Sequence, residues 1–223
     1  MEVNEIIAEM RRESDPKSLA MMAGYGIKVE KALGTRVPVL RKMARKLGKN
    51  HKLALELWKA GYRETRILAA MVDNPKHVTE EQVDEWVKDF DSWEVCDQAC
   101  MNLFDKLPFA YEKAIELSKT HREFEKRAGY ALMACLAWHD KEAGDERFIR
   151  FLPYIIKGAT DERNYVKKAV SWSLRHIGKR HPHLREKAVE TAFEIQKIDS
   201  KSARWIASDV LKDLTKRDTS KLL

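Results

Sequence analysis

Residues 162–177, ERNYVKKAVSWSLRHI, set Val166, Val170, Leu174 and Ile177 at intervals of four, four and three. That spacing returns to one face of a helix with 3.6 residues per turn and does not alternate as a half-buried strand does. The same periodicity recurs over 37–47, 52–59, 64–72, 83–90, 92–104, 111–117, 123–138, 183–195 and 203–214. No alternating run bounded by turn residues suggests a strand. Several helix starts carry capping signals: Asp91 with Glu94, Thr79 with Gln82, and Ser200 before the last helix. Pro16, Pro38, Pro75, Pro108 and Pro182 suit helix starts or connections. Pro153 falls inside a helical stretch and is expected to kink or end it. Short, numerous helices with brief connections favour stacked helix pairs over a bundle of four long helices. The sequence therefore predicts an all-α chain.

The 223 residues, 25.9 kDa, bound the possibilities further. A hydrophobic share of 44% is ordinary for a globular core, whereas 35% charged residues implies a densely charged surface. Nine Gly and six Pro are too few for a collagen-like or linker-dominated chain. The longest uncharged stretch near the core, 128–139, has 12 residues, short of the roughly 18 that a membrane helix needs. The N-terminal MEVNEIIAEMRRES carries acids where a signal peptide has its basic region, so a soluble, cytoplasmic chain folding as one domain over 1–223 is expected. Cys96, Cys100 and Cys135 are too few for a disulfide framework, and no Cys or His pair stands at zinc-finger spacing, so no metal is expected.

The net charge of +7 is unevenly placed. Residues 1–110 hold 18 basic and 18 acidic side chains, and residues 111–223 hold 24 and 17. Lys31, Arg36, Arg41, Lys42, Arg45, Lys46, Lys49 and Lys52 fall in a stretch without an acid, as do Arg163, Lys167, Lys168, Arg175, Lys179, Arg180 and Arg185. Between Glu80 and Asp97 the balance reverses. One such run suits a solvated helix face. Two acid-free blocks repel themselves unless something anionic neutralises them, and nucleic-acid phosphate is the commonest partner of that kind. A membrane surface is a poor fit, since no segment pairs a basic face with an exposed aromatic edge.

A loose repeat runs through the helices: Arg66-Ile67, Gln98-Ala99, Arg127-Ala128, Lys168-Ala169 and Arg204-Trp205, at intervals of 32, 29, 41 and 36 residues. If it is structural, Arg66, Asp97, Arg127, Lys168 and Arg204 share one face. Trp93 and Asp97 are four apart and so stand together on a helix, with Cys96, Cys100 and Phe104 beside them. A carboxylate beside an indole is costly unless a cation meets it; that cation is either a neighbouring Lys or Arg or a charge developing in a substrate. In 123–138 the core seam reads as Phe124, Ala128, Ala131, Cys135 and Trp138, with Arg127 at its border, where a guanidinium pairs with a carboxylate or a phosphate. Trp172 lies off its helix seam among Lys168, Arg175 and Lys179, either covered by lysine stems or serving as an aromatic platform among phosphate-binding cations. There is no Gly-rich phosphate loop and no nucleophile with an adjacent base.

The residues resemble a known family. YVKKAVSWSLRHIGKR (165–180) is similar to the signature helix of the AlkD-like DNA alkylation repair proteins. LGTRVPVLRKMARKL (33–47), LELWKAGYRETRILAAMV (55–72), DSWEVCD (91–97) and ARWIASDVLKDL (203–214) resemble its other blocks, in the same order. The resemblance implies a curved α-solenoid of HEAT-like helix pairs whose basic concave face binds duplex DNA. It also implies a monofunctional glycosylase, acting as a monomer and without cofactor, that removes cationic N3- and N7-alkylpurines. The family's aspartate falls on Asp97, its tryptophans on Trp93 and Trp172, its arginine on Arg127 and a tyrosine on Tyr25. Candidate DNA-binding residues are Tyr25, Arg41, Lys42, Arg45, Arg66, Lys167, Lys168, Arg175, Lys179 and Arg204. Some relatives lack the aspartate, and a non-catalytic protein recognising branched or damaged DNA is the competing reading; a scaffold for an acidic protein is a third.

Overall fold

The computed structural model describes residues 2–215. Among them are fourteen α-helices, two single-turn 3-10 helices and no strand. The chain divides into two compact units, Met1–Leu107 and Pro108–Leu223.

The first unit holds α1 (Val3–Arg12), α2 (Pro16–Gly24), α3 (Val37–Leu47), α4 (His51–Lys59), α5 (Arg63–Val72), α6 (Glu80–Lys88) and α7 (Trp93–Asn102). Its centre is α5, which packs on α3, α4 and α7. Ile67, Leu68, Ala69 and Ala70 are fully buried there, and the two alanines let neighbouring helices approach closely. Helices α4 and α6 meet through an indole stack: Trp58 of α4 lies 3.9 Å from Trp86 of α6, nearly parallel at 6°. Trp58 Nε1 donates to Asp89 at 2.8 Å, so the buried ring keeps its polar edge satisfied.

The second unit holds α8 (Ala110–Ser118), α9 (Glu123–His139), α10 (Asp145–Ile149), α11 (Leu152–Gly158), α12 (Asn164–Gly178), α13 (Pro182–Gln196) and α14 (Lys201–Thr215). Here α9 packs on α12 and α12 on α14, while α8 backs α9 and α13 backs α14. That is the side-by-side stacking of helix pairs expected of a helical repeat. Every residue of α9 from Arg127 to Ala137 is buried, as befits a helix apolar on nearly all sides. Gly129 makes this possible: a Cβ there would lie 2.3 Å from the Ser118 backbone nitrogen, so only glycine lets α8 and α9 approach this closely.

Most helices lie where the periodicity puts them, and α3 matches to the residue. Pro153 ends a helix as expected: α10 stops at Ile149, and α11 restarts with the proline in its first turn. Four helices, α1, α2, α10 and α11, are absent from the periodic reading. Two of them, α10 and α11, have only five and seven residues, too few for an apolar stripe to repeat. The capping signals divide. Thr79 caps α6, its side chain accepting from Gln82 N at 3.2 Å. The pairing of Asp91 with Glu94 is corrected: Ser92 is the N-cap residue of α7, without a side-chain cap bond, and Glu94 is bound elsewhere. The core seam of α9 is corrected at both ends, since Phe124 is half-buried and Trp138 is 46% exposed. Both lie in the terminal turns of α9.

Candidate functional site

In the first unit the site is organised by a buried charge network. The Arg63 guanidinium, at the start of α5, takes Glu94 in a two-pronged grip, with Nε and Nη2 each donating at 2.7 Å. Its Nη1 donates to Glu64 at 3.0 Å and to the Thr35 carbonyl at 3.1 Å. Glu64 is fully buried and accepts from the backbone nitrogens of Leu33 and Gly34 at 2.8 and 2.9 Å. Burial lowers the Arg63 pKa, but the two carboxylates outweigh it and hold the guanidinium above its ordinary value. Gly34 sits at φ +85°, and a Cβ there would meet Ser14 Oγ at 2.7 Å, so the loop that Glu64 clamps requires glycine. The network fixes the first turn of α7 relative to the loop before α3.

That first turn carries Trp93. Its indole Nε1 donates to the carbonyl of Tyr25, the residue ending α2, at 3.0 Å. The structure thus brings together two residues 68 positions apart, one with its side chain 66% exposed. Asp97 follows one turn after Trp93 and is 8% exposed, between the fully buried Cys96 and Cys100.

In the second unit, Arg127 is buried at 6% exposure in the first turns of α9, and its Nη1 donates to the Tyr165 carbonyl at 2.6 Å. This joins α9 to the first turn of α12, where the Phe124 and Tyr165 rings also meet at 5.4 Å. Just before α12, Asp161 accepts from Lys126 and Arg163; burial works against its ionisation, yet these donors bring its pKa down to about 2. Trp172 lies half-buried midway along α12, its ring meeting His176 edge-on at 5.8 Å. Burial, with the positive charges of Lys179 and Arg175, pushes the His176 pKa down to about 4, so the imidazole facing Trp172 is neutral at physiological pH.

The second basic block is not free of acids in space. Arg175 pairs with Asp209 at 3.3 Å and with Asp213 at 3.6 Å, and Lys179 also pairs with Asp213. Arg180 donates to the carbonyls of Ala137, Asp140 and Ala143 and lies 4.0 Å over the Phe148 ring. Lys167 lies over the Trp205 ring at 5.0 Å. The expectation of an unneutralised run is therefore corrected: α14 packs on α12 and supplies the missing carboxylates. Lys168 remains exposed. Arg204 pairs with the fully exposed Asp199 at 3.0 Å. In the first unit, Arg66 is held by the Asp89 carbonyl at 2.9 Å and its carboxylate at 3.3 Å, over the Trp58 ring. Arg41, Lys42 and Arg45 are exposed along α3 and make no ion pair among the described residues.

Sequence reasoning missed the Arg63, Glu64 and Glu94 network and the role of His176. Glu64 carried a faint signal, as an acid inside an apolar stretch, but its partners come from other elements. Among the described residues no group of three or more His, Cys, Asp or Glu side chains is placed to hold a metal ion. No helix there is long and apolar enough to cross a membrane.

A solved structure from a family of proteins related to the HEAT-like repeat DNA glycosylases, with affinity for branched DNA structures, matches with a TM-score of 0.80 over 97% of this chain and 95% of that one, at 21% identity. At that identity the match establishes the fold. A designed armadillo repeat protein in complex with a peptide is more distant, at TM-score 0.42, 16% identity, and 79% and 92% coverage. Curated proteins yield no sequence match. The model of one protein family, described as DNA alkylation repair enzyme, matches residues 6–223. The all-helical paired architecture and a match spanning nearly the whole sequence agree, and the chain belongs to the DNA alkylation repair enzyme family.

Proposed function

We propose that the protein is a monofunctional DNA glycosylase that hydrolyses the N-glycosidic bond of N3- and N7-alkylpurines in duplex DNA. The observation that carries this reading is Asp97 one turn from Trp93 on α7, with that indole pinned to the Tyr25 carbonyl. An alkylated purine is cationic. When the bond from C1′ to the base nitrogen breaks, the electron pair goes to the base, which leaves neutral, and positive charge passes to the sugar. A carboxylate held beside the sugar stabilises that oxocarbenium ion and orients a water whose oxygen bonds to C1′ while its proton is lost to solvent. The indole face of Trp93 attracts the cationic base and sugar by about 0.5–2 kcal/mol, and in the second unit Trp172 offers DNA a second such face. Arg127 of that unit holds a backbone phosphate.

Duplex phosphates are met by Arg41, Lys42, Arg45 and Lys168, which are exposed, and by Tyr25. Lys167, Arg175, Lys179, Arg66 and Arg204 join them by exchanging present partners for phosphate. One copy of the chain acts alone, inside the cell and without cofactor.

Release of N3-methyladenine and N7-methylguanine from methylated duplex tests the reading. Wild type should release both. Asp97→Asn keeps the shape of the side chain and removes its charge, so single-turnover excision should fall roughly 100-fold or more. Full activity in that variant removes Asp97 from the mechanism. The second reading is a non-catalytic protein that binds branched DNA, favoured by the 0.80 TM-score match to a protein of a family with that affinity. No base release from wild type, together with tighter binding to a four-way junction than to duplex, selects it.

A further inference from the structure

Trp138 ends α9 with nearly half its surface in water, at 46% exposed. A single exposed ring needs no explanation, but this one belongs to a cluster of aromatic rings. It lies eleven residues after Arg127, three turns of helix, on the same face and about 16 Å along the axis. Across the contact between α9 and α12 its ring meets His176 at 5.9 Å, inclined at 62°, and His176 meets Trp172 at 5.8 Å and 89°. His139 packs on the Trp138 ring at 4.7 Å. Three aromatic rings thus run in a row from the middle of α12 to the end of α9. A charged imidazole in the middle would be repelled by Arg175 and Lys179; burial and those cations keep His176 neutral, so it serves as an edge-on spacer. Lys168, exposed one turn before Trp172, gives the row a cationic flank.

We propose that Trp138 is a further DNA-contact residue of this protein, its exposed indole stacking on an unpaired or destacked base while His176 keeps it aligned with Trp172. Every base offers a π-face to such a platform, and nearby cations steer the backbone past it. Trp138 acts on binding and does not touch the reacting atoms. The inference rests on the chain's reading as a DNA-binding repair protein, whether or not it excises bases.

The test uses the full chain and two labelled duplexes, one fully paired and one carrying a single unpaired base. Trp138→Ala should weaken binding to the second roughly tenfold, and to the first about twofold or less. Trp138→Phe keeps a ring and should recover most of the loss, and the melting temperature of Trp138→Ala should stay close to wild type. Should Trp138→Ala fail to fold, tryptophan emission of wild type minus that of Trp138→Phe isolates the indole, which should be quenched on adding the unpaired-base duplex. Equal affinities for wild type and Trp138→Ala, an equal loss on both duplexes, or an unquenched indole overturns the proposal. Base release by wild type with no effect at Trp138 sinks this inference alone. Selective loss at Trp138 in a protein that releases no base sinks the glycosylase reading alone.

Discussion

Trp93 Nε1 donates to the Tyr25 carbonyl at 3.0 Å and so ties the end of α2 to the first turn of α7. The bond fixes the indole about its χ angles and leaves the tyrosine ring free to point outward, at 66% exposed. Trp93→Phe keeps an aromatic face and deletes the donor. Stability should fall by about 0.5–1.5 kcal/mol, the net value of one hydrogen bond. On the glycosylase reading, excision by the folded protein should fall further than that, because the remaining ring is no longer oriented. Melting temperature and single-turnover excision on one preparation separate the two effects; unchanged excision would show that the bond serves stability alone.

Charge already compensated within the fold should contribute less to DNA binding than exposed charge. Replacing Arg41, Lys42, Arg45 or Lys168 by Ala should each reduce the slope of log affinity against log salt by about 0.9. Arg175→Ala should reduce it by less, because Arg175 must first release Asp209 and Asp213. It should also lower the melting temperature, since those carboxylates lose a donor. Titrating a fully paired duplex at several salt concentrations provides the slopes, and a larger slope change for Arg175→Ala than for Lys168→Ala would reverse the ranking.

Removing one member of a buried ion network is costly because the others stay charged. Arg63→Ala leaves Glu64 fully buried and takes both bonds from Glu94. The loss should be about 3–5 kcal/mol in denaturant unfolding. Lys in place of Arg63 should recover only part of it, since an ammonium cannot reproduce the paired grip on Glu94.

His176 makes stability depend on mild acid. Its pKa is pushed down to about 4 in the folded protein against an ordinary value near 6.5. Above pH 6.5 the imidazole is neutral in both states and has no effect. Between about 6.5 and 4 the unfolded chain takes up a proton that the folded one refuses, so stability is lost as pH falls through that window. His176→Gln should show a shallower decline of melting temperature from pH 7 to pH 4.5. Asp161, held down at about 2 against an ordinary 3.8, contributes alike in both proteins and cancels in the comparison. Identical pH profiles for the two proteins would mean that His176 is accessible to protons when folded.

Periodicity alone determined that the chain is helical and where ten of its helices run, because an apolar stripe at intervals of three and four has one economical solution. Motif spacing placed Trp93 with Asp97 on one helix face, since residues four apart are neighbours whatever the fold. Helices α1, α2, α10 and α11 were not legible; α10 and α11, of five and seven residues, are too short for an apolar stripe to repeat. In the first basic block Arg41, Lys42 and Arg45 are exposed as the sequence suggests, whereas in the second Arg175 and Lys179 are neutralised within the fold. Asp209 and Asp213 stand more than thirty residues from Arg175 and Lys179, and only the packing of α14 on α12 brings them together. The same holds for Glu64, whose two backbone donors lie thirty and more positions earlier. Trp138 reverses the case: its position on the α9 stripe marked it as core, yet it is 46% exposed in the fold. Local spacing fixes which side chains share a helix face. Which face is buried, and which charges meet, depends on elements distant in sequence, and that was left to the tertiary structure.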